Sequence, residues 1–478
     1  VTRSAASGES AIARLAALVS GLRDGDFPPR AVEQAKLVLL DTIGCGLAAR
    51  DDETARAVLA TLAALGGNPQ CTVLGQAQKA SAPNAVLANG TLIRVLDLND
   101  YVIGADPVSG ARGGHPSDNI PVALAAAEVA GSSGRALLTA ILIGYEIYGR
   151  GKALMRSDSP WDGISISGLA APAMAGRLLR LDKEKLAHAI ALGAARAPTP
   201  VAVREGAISA AKSIGNALIA QSGIQAALLA AAGVTGPLDL FEAERGLNTV
   251  FAHAPESAVD ILGAPLPSEN FISRIAIKAY PCFAGGQSAV AAALALHRQI
   301  GGDIDSLNSI RATFADLPIV RRQLADPGRI APASREAADH SLHFLVAVSL
   351  IDGTFGLDQF ADGRWNNPKV RALMARLDMT TDAGLAKRGS GAYPCALQAV
   401  GRDGREHSVE VLAPPGFSPN GPQSVAVLEK FTRLTADRFS AAARDRIVEA
   451  VMTVDQAKTC ERVTRAVTPR AEPGAALD

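Results

Sequence analysis

Paired cysteines, an excess of charge of one sign, long apolar runs and the common catalytic signatures are all missing from this 478-residue chain. The five cysteines (Cys45, Cys71, Cys282, Cys395 and Cys460) stand singly, with no C-x-x-C spacing. That excludes a disulfide framework and the usual structural zinc patterns. It suits a reducing compartment, so a cytoplasmic location is expected. Lys plus Arg (47) equals Asp plus Glu (47). Nucleic-acid binding normally needs a basic face, so no such partner is expected. The stretch 224–234 is cut by Gln225 and ended by Gly233 and Pro237. No uninterrupted apolar run approaches the ~20 residues of a spanning helix, so no membrane partner is expected. Residues 1–20 hold no compact apolar core with a cleavage site, so no secretory leader is expected there. No H-E-x-x-H, Walker A or G-x-S-x-G occurs. Gly44-Cys45-Gly46-Leu47-Ala48-Ala49 fits a loose G-x-G-x-x-A, but inside a helical pattern rather than after a strand, which argues against a dinucleotide loop.

What is present is ample core-forming material: 48% hydrophobic and 20% charged residues exclude wholesale disorder. Length suggests about three domains at ~150 residues each; the texture suggests two. Up to about residue 265 the chain is rich in Ala and Leu. Helical spacing predicts helices over 31–40, 85–95, 120–130, 136–148 (with Ser133 as N-cap), 168–179, 183–195 and 212–232. Several are apolar almost all round, as helices are in an interior or under a partner subunit. Near Pro267 the texture changes. Strands are expected within 271–280, 309–314 and 408–412, the last after the turn residues Arg402-Asp403-Gly404, and helices over 287–300 and 340–351. This reads as a smaller α+β domain. After the Pro- and Gly-rich 414–422, helices return over 425–433 and 441–452.

The most polar unit is Asp97-Leu98-Asn99-Asp100-Tyr101, followed by Gly114-His115-Pro116-Ser117-Asp118-Asn119. Two carboxylates and a histidine at helix ends are a possible acid–base set at a pocket rim. The plainer reading makes Ser117 and Asp118 caps of the next helix and Asp97 the cap of a turn. Asp97, Asp100 and His115 are also a candidate metal set, without a second histidine to support it. Lys212, in an apolar helix, either snorkels outward or sits in an anion pocket, and periodicity alone favours snorkelling. Lys278 closes a strand before a proline turn, where solvent exposure is the default. In Asp339-His340-Ser341, Asp339 or Ser341 is the expected helix cap, and the helix start lowers the pKa expected for His340.

Five segments occur in a telling order: 36–46 (KLVLLDTIGCG), 114–119 (GHPSDN), 144–150 (GYEIYGR), 278–281 (KAYP) and 339–342 (DHSL). With these the chain resembles the MmgE/PrpD family, which includes 2-methylcitrate dehydratase, cis-aconitate decarboxylase and iminodisuccinate epimerase. The resemblance implies a mainly α fold: a large all-helical domain from 1–268 completed by 414–478, with a smaller α+β lid domain inserted over 269–413. It implies a homodimer, no metal, no organic cofactor, and a small anionic carboxylic acid as substrate, from which an α-proton is removed. It places Asp97, His115, Lys212 and Lys278 in the site. We therefore expect His115, Asp97, Lys212 and Tyr145 as catalytic residues, and Lys278, Arg112, Asp100, Tyr101, Asp162 and Ser117 as substrate-binding residues. Three positions depart from the decarboxylase pattern. Asp162 and Phe283 stand where that pattern has histidines, and Asp326 falls near its lid tyrosine. The wording of the motifs is closer to the dehydratases, so a dehydratase of 2-methylcitrate type is expected. The alternatives are an epimerase of an imino-dicarboxylate or a catalytically altered homologue serving as a binding dimer. Asp162 adds a negative charge to the pocket, which points to amino- or imino-bearing substrates.

Overall fold

The computed structural model describes residues 9–103, 114–155, 159–206, 208–249, 258–389 and 391–469. Among them are twenty α-helices and six short strands, so the chain is mainly α. The expected helices form, several with the local chemistry that starts a helix. Pro29 opens Pro29–Ala48, with its fixed φ and missing N–H suited to a first turn. Ser133 Oγ accepts from Ala136 N at 3.2 Å at the start of Gly134–Leu154. Ser341, not Asp339, caps Leu342–Asp352, accepting from Phe344 N at 3.1 Å.

Small residues let these helices approach closely. A Cβ on Gly90, in helix Ala82–Arg94, would lie 2.8 Å from the Ala217 Cβ of helix Ala211–Ala231. Those two helices carry Arg94 and Lys212, so their spacing sets the spacing of two site cations. The Gly44/Gly46 motif is likewise a packing device within Pro29–Ala48. Side chains there would press on Phe431 and Leu74.

Helix Ala211–Ala231 is long and apolar enough, by length and composition, to cross a membrane, and half of its most apolar window is buried inside the fold. The run-by-run reading of the sequence missed it because Lys212, Gln221 and Gln225 interrupt the apolar residues.

Buried apolar residues fall into two main clusters. The larger joins helices of the first half, such as Leu39, Val86, Ile141 and Leu169, to Phe431, Ile447 and Val463 from the C-terminal helices. The smaller runs from Ala276 to Ala399, with Tyr101 added from the first half. It lies around a four-stranded sheet of β3 (Leu307–Ala315), β4 (Leu377–Asp382), β5 (Cys395–Gly401) and β6 (Glu406–Val411), in the order β4-β3-β5-β6. β3 and β4 are parallel, with Ile310 opposite Leu377, and the other pairs are antiparallel. A separate two-residue ladder pairs β1 (Tyr101–Val102) with β2 (Ile275–Ala276). The strand expected across 271–280 is thus reduced to β2, preceded by a single 3-10 turn, Phe271–Arg274. Residues 275–278 are all buried, so the apparent alternation does not separate a wet face from a dry one.

Gly90→Val should force the two helices apart and cost about 1–3 kcal/mol, the usual range for overpacking. Urea unfolding measures it; an unchanged midpoint would mean that this contact does not set the helix spacing.

Candidate active site

The site is built around Asp97. This residue follows helix Ala82–Arg94 in a left-handed conformation, φ +52°, which Asp tolerates better than most residues. The turn brings its carboxylate back over the helix end. Arg94 Nη1, one helical turn earlier, donates to Asp97 Oδ1 at 2.7 Å. Lys212 Nζ donates to Oδ2 at 3.1 Å. Lys278 Nζ donates to Oδ1 and, at 3.0 Å, to the Asp97 main-chain oxygen. All four side chains are buried. Burial alone would push the Asp97 carboxyl up; Arg94, then Lys212 and Lys278, outweigh it and hold the group well below the usual carboxylate range. Burial pushes the Lys278 ammonium down, opposed by Asp97. Lys430, from helix Ser424–Thr435, anchors the same segment: its Nζ donates to Leu98 O at 2.6 Å and lies 2.7 Å from Asp41 Oδ1.

From the second cluster come Asp339 and His340. Lys212 Nζ lies 3.2 Å from Asp339 Oδ1 and 3.2 Å from His340 Nδ1. His340 Nδ1 has its shortest contact with Asp339 Oδ1. Of the two groups at Nδ1, the carboxylate is nearer than the Lys212 ammonium, and it only accepts, so Nδ1 carries the proton and Nε2 is left bare, 3.8 Å from Asp97 Oδ2. Burial, reinforced by Lys212, lowers the His340 pKa to about 4, against the pull of Asp339. The imidazole is therefore a neutral base at pH 7. Asp97, Asp339 and His340 also place their ligand atoms within 4.8 Å of one another. The Lys212 ammonium occupies that space, within 3.1–3.2 Å of a ligand atom on each, so a divalent cation there would have to expel it.

His115 is half-buried, with Nδ1 held by the Asp100 main-chain oxygen. A carbonyl only accepts, so this imidazole too has a bare Nε2. Burial, then Arg94 and Lys278, keeps its pKa well below the usual value. Asp100 itself supports rather than lines the site. Its carboxylate accepts from Ser117 Oγ at 2.5 Å and from Tyr145 OH at 2.7 Å, with no exposed surface. Burial raises its pKa to about 7, against those two hydrogen bonds.

Asp100, Tyr101 and Ser117, expected as substrate contacts, and Tyr145, expected as catalytic, are all buried and engaged within the protein. Tyr101 is buried in the smaller apolar cluster and fixed in the β1–β2 ladder, while Ser117 and Tyr145 are spent on Asp100. Ser117 and Asp118 do not cap Ile120–Ala130; Asp118 accepts from Asn99 Nδ2 at 2.7 Å. Neither Lys212 nor Lys278 reaches solvent, because buried carboxylate is within reach of both. Asp162 faces Arg204 Nε at 2.6 Å and caps Ile164 N at 3.0 Å, so its charge is matched. Phe283 stacks on His340, ring centroids 5.2 Å apart. Asp326 caps the short helix Pro327–Ile330. Arg112 lies outside the described residues.

Sequence reasoning did not assign Arg94, Asp339 or His340 to the site. Arg94 was detectable, standing at the end of the expected helix three residues before Asp97. The Asp339-His340-Ser341 triplet was noticed, but a capping role absorbed it.

The MmgE/PrpD N-terminal domain matches residues 13–259, and the MmgE/PrpD C-terminal domain matches residues 280–456. The chain belongs to the MmgE/PrpD family. Among its relatives is a cis-aconitate decarboxylase-like protein of Aspergillus oryzae, 26% identical over 93% of this chain and 94% of its own length. The human cis-aconitate decarboxylase is 26% identical over 76% of this chain and 75% of its own. The mitochondrial 2-methylcitrate dehydratase of Yarrowia lipolytica is 26% identical over 88% of this chain and 83% of its own. MmgE/PrpD membership with such relatives supports a lyase-type enzyme.

Two expectations follow from the geometry. Asp97→Asn should destabilise the fold by about 3–5 kcal/mol, because buried cations lose their counter-charge. Adding Lys278→Met should recover part of that loss in urea unfolding; additive losses would contradict the shared charge pairing. The second concerns pH. The folded-state pKa of Asp100, about 7, lies above its ordinary value of 3.8. The stability it contributes is present at low pH and is lost as pH rises toward 7. The Tm of Asp100→Asn relative to wild type should therefore climb from pH 5 to pH 8; a constant difference would show that Asp100 does not titrate there.

Proposed function

We propose that this protein removes an α-proton from a small di- or tricarboxylic acid and eliminates water, as a 2-methylcitrate-type dehydratase. The carrying observation is the Asp339–His340 pair beside Lys212. It sets a neutral imidazole with a bare Nε2 next to an ammonium. In this reading His340 Nε2 takes the proton next to a substrate carboxylate. The charge that develops on that carboxylate is met by the neighbouring cations. Lys212 gives a proton to the departing hydroxyl, which leaves as water; after product release His340 loses the proton it took and Lys212 regains one, by exchange with water entering the emptied site. Asp97 stays ionised throughout and fixes the lysines in place, and Lys278 supports it from the far side. His115 is a second neutral base with a bare Nε2.

Two such bases also favour a second reading, in which a proton removed on one face is returned on the other, as in an epimerase. We also propose that residues 269–413 form a lid over the site and that the protein is a homodimer without metal or organic cofactor. Exposed Leu218, Leu228 and Leu229 on helix Ala211–Ala231 support a covered face.

Proton NMR in D₂O, with 2-methylcitrate, citrate, cis-aconitate and iminodisuccinate in turn, tests the reading. The expected result is a new alkene from 2-methylcitrate, slowed about 10²- to 10⁴-fold by His340→Gln. Deuterium entering an α-position without a new skeleton would favour the epimerase. No change in any compound would overturn both.

A further inference from the structure

The cations nearest the bases are already engaged: Arg94 and Lys278 by Asp97, and Lys212 by Asp97 and Asp339. Their side chains are 0–3% exposed. Arg204 differs. Its side chain is 26% exposed, and only Nε is taken, by Asp162 at 2.6 Å. Neither Nη has a hydrogen-bond partner among the described residues.

The backbone around Arg204 is held from both sides. Its turn, Val201–Arg204, is laced to the Asp162 segment by Asp162 N to Thr199 O at 2.7 Å and Val201 N to Pro160 O at 2.8 Å. From the smaller cluster's side, Arg329 Nη2 donates to Arg204 O at 3.1 Å, and Ser341 Oγ, next to His340, donates to Arg329 O. The charge of Arg204 acts on both Asp118 and the Tyr148 hydroxyl. Tyr148 lies so close to Gly114, the residue before His115, that no side chain fits there. Arg204 is thus tied through its backbone to the segment that delivers His340, and its charge reaches Tyr148, which packs on the residue before His115.

We propose that Arg204 receives a second carboxylate of the substrate and so sets the preference for polycarboxylates over monocarboxylates. Asp162 is the positioning residue: by holding Nε it turns the two Nη groups outward as a fork, the geometry a carboxylate accepts best. The carboxylate of Asp162 is therefore matched by a guanidinium rather than standing as a bare negative charge, and the substrate is anionic, not amino-bearing. This inference rests on the lyase reading above.

Two measurements separate their fates. Calorimetry with tricarballylate, a tricarboxylate with no hydroxyl to eliminate, reads binding alone. Kinetics with 2-methylcitrate reads turnover. Arg204→Ala should weaken tricarballylate binding and raise KM by about 10- to 100-fold, the scale of one lost charge-assisted contact. The value of kcat should stay within about threefold, since the contact is made in ground and transition states alike. Arg204→Lys, which keeps charge but not the fork, should fall between. Asp162→Asn, with Arg204 intact, should raise KM less than Arg204→Ala. Unchanged binding and KM in Arg204→Ala would overturn the clamp and leave the lyase reading standing. Arg204-dependent binding without turnover of any acid would uphold the clamp and overturn the lyase reading. Failure of the wild type to bind tricarballylate would overturn the clamp.

Discussion

An ionised carboxylate removed from water needs cations at hydrogen-bond range, because its desolvation is otherwise prohibitive. Asp97 has three, and each arrives from a different part of the chain. Arg94 comes from the helix just before it, Lys212 from the first turn of Ala211–Ala231, and Lys278 from just beyond β2. Lys212 then extends the same pairing to Asp339 and His340 of the smaller apolar cluster. One charge centre thus ties together two helices, a β-ladder and two cores. The spacing of the larger core, down to the Gly90–Ala217 contact, is what keeps those cations in range.

The same pairing decides what the site can do chemically. Buried among cations, both His115 and His340 are kept neutral, and in both the Nδ1 proton is pinned by an acceptor. Two bare Nε2 atoms result. Asp97 cannot share this work, since its lone pairs are already committed to Arg94, Lys212 and Lys278. The carboxyls of Asp100 and Asp118, pushed by burial to about 7 and about 6, hold the turn that follows His115 through Ser117 and Asn99.

Much of this was legible in the sequence. Helices at 120–130 and 441–452 were placed to the residue, because Ala- and Leu-rich periodicity and clear stops leave little choice. β3 was found by its alternation and β6 by the turn residues before it. β4 and β5 were not: LDMTTD offers only one threonine pair and CALQAVG only one valine as β-branched residues, and pairing with β3 makes them strands. At the site, Asp97 and His115 stood out as polar residues at helix ends. Lys212 and Lys278 looked like solvent lysines, since periodicity reports which way a residue faces but not which buried anion waits there. Asp339 and His340 come from the other core, far along the chain, and no local pattern announces a contact of that kind. Asp162 read as an extra negative charge because its partner, Arg204, is 42 residues away.

The central claim is that the Asp97 cluster holds His340 as a neutral Nδ1–H imidazole, with Nε2 ready as a base. Nitrogen NMR of ¹⁵N-histidine-labelled protein, with His340→Gln to assign the signal, reads tautomer and charge directly. The account predicts a neutral ring with a protonated Nδ1 and a bare Nε2 from pH 8 down to about 5, with titration near 4. A ring that titrates near its ordinary ~6.5, or one that carries its proton on Nε2, would contradict it.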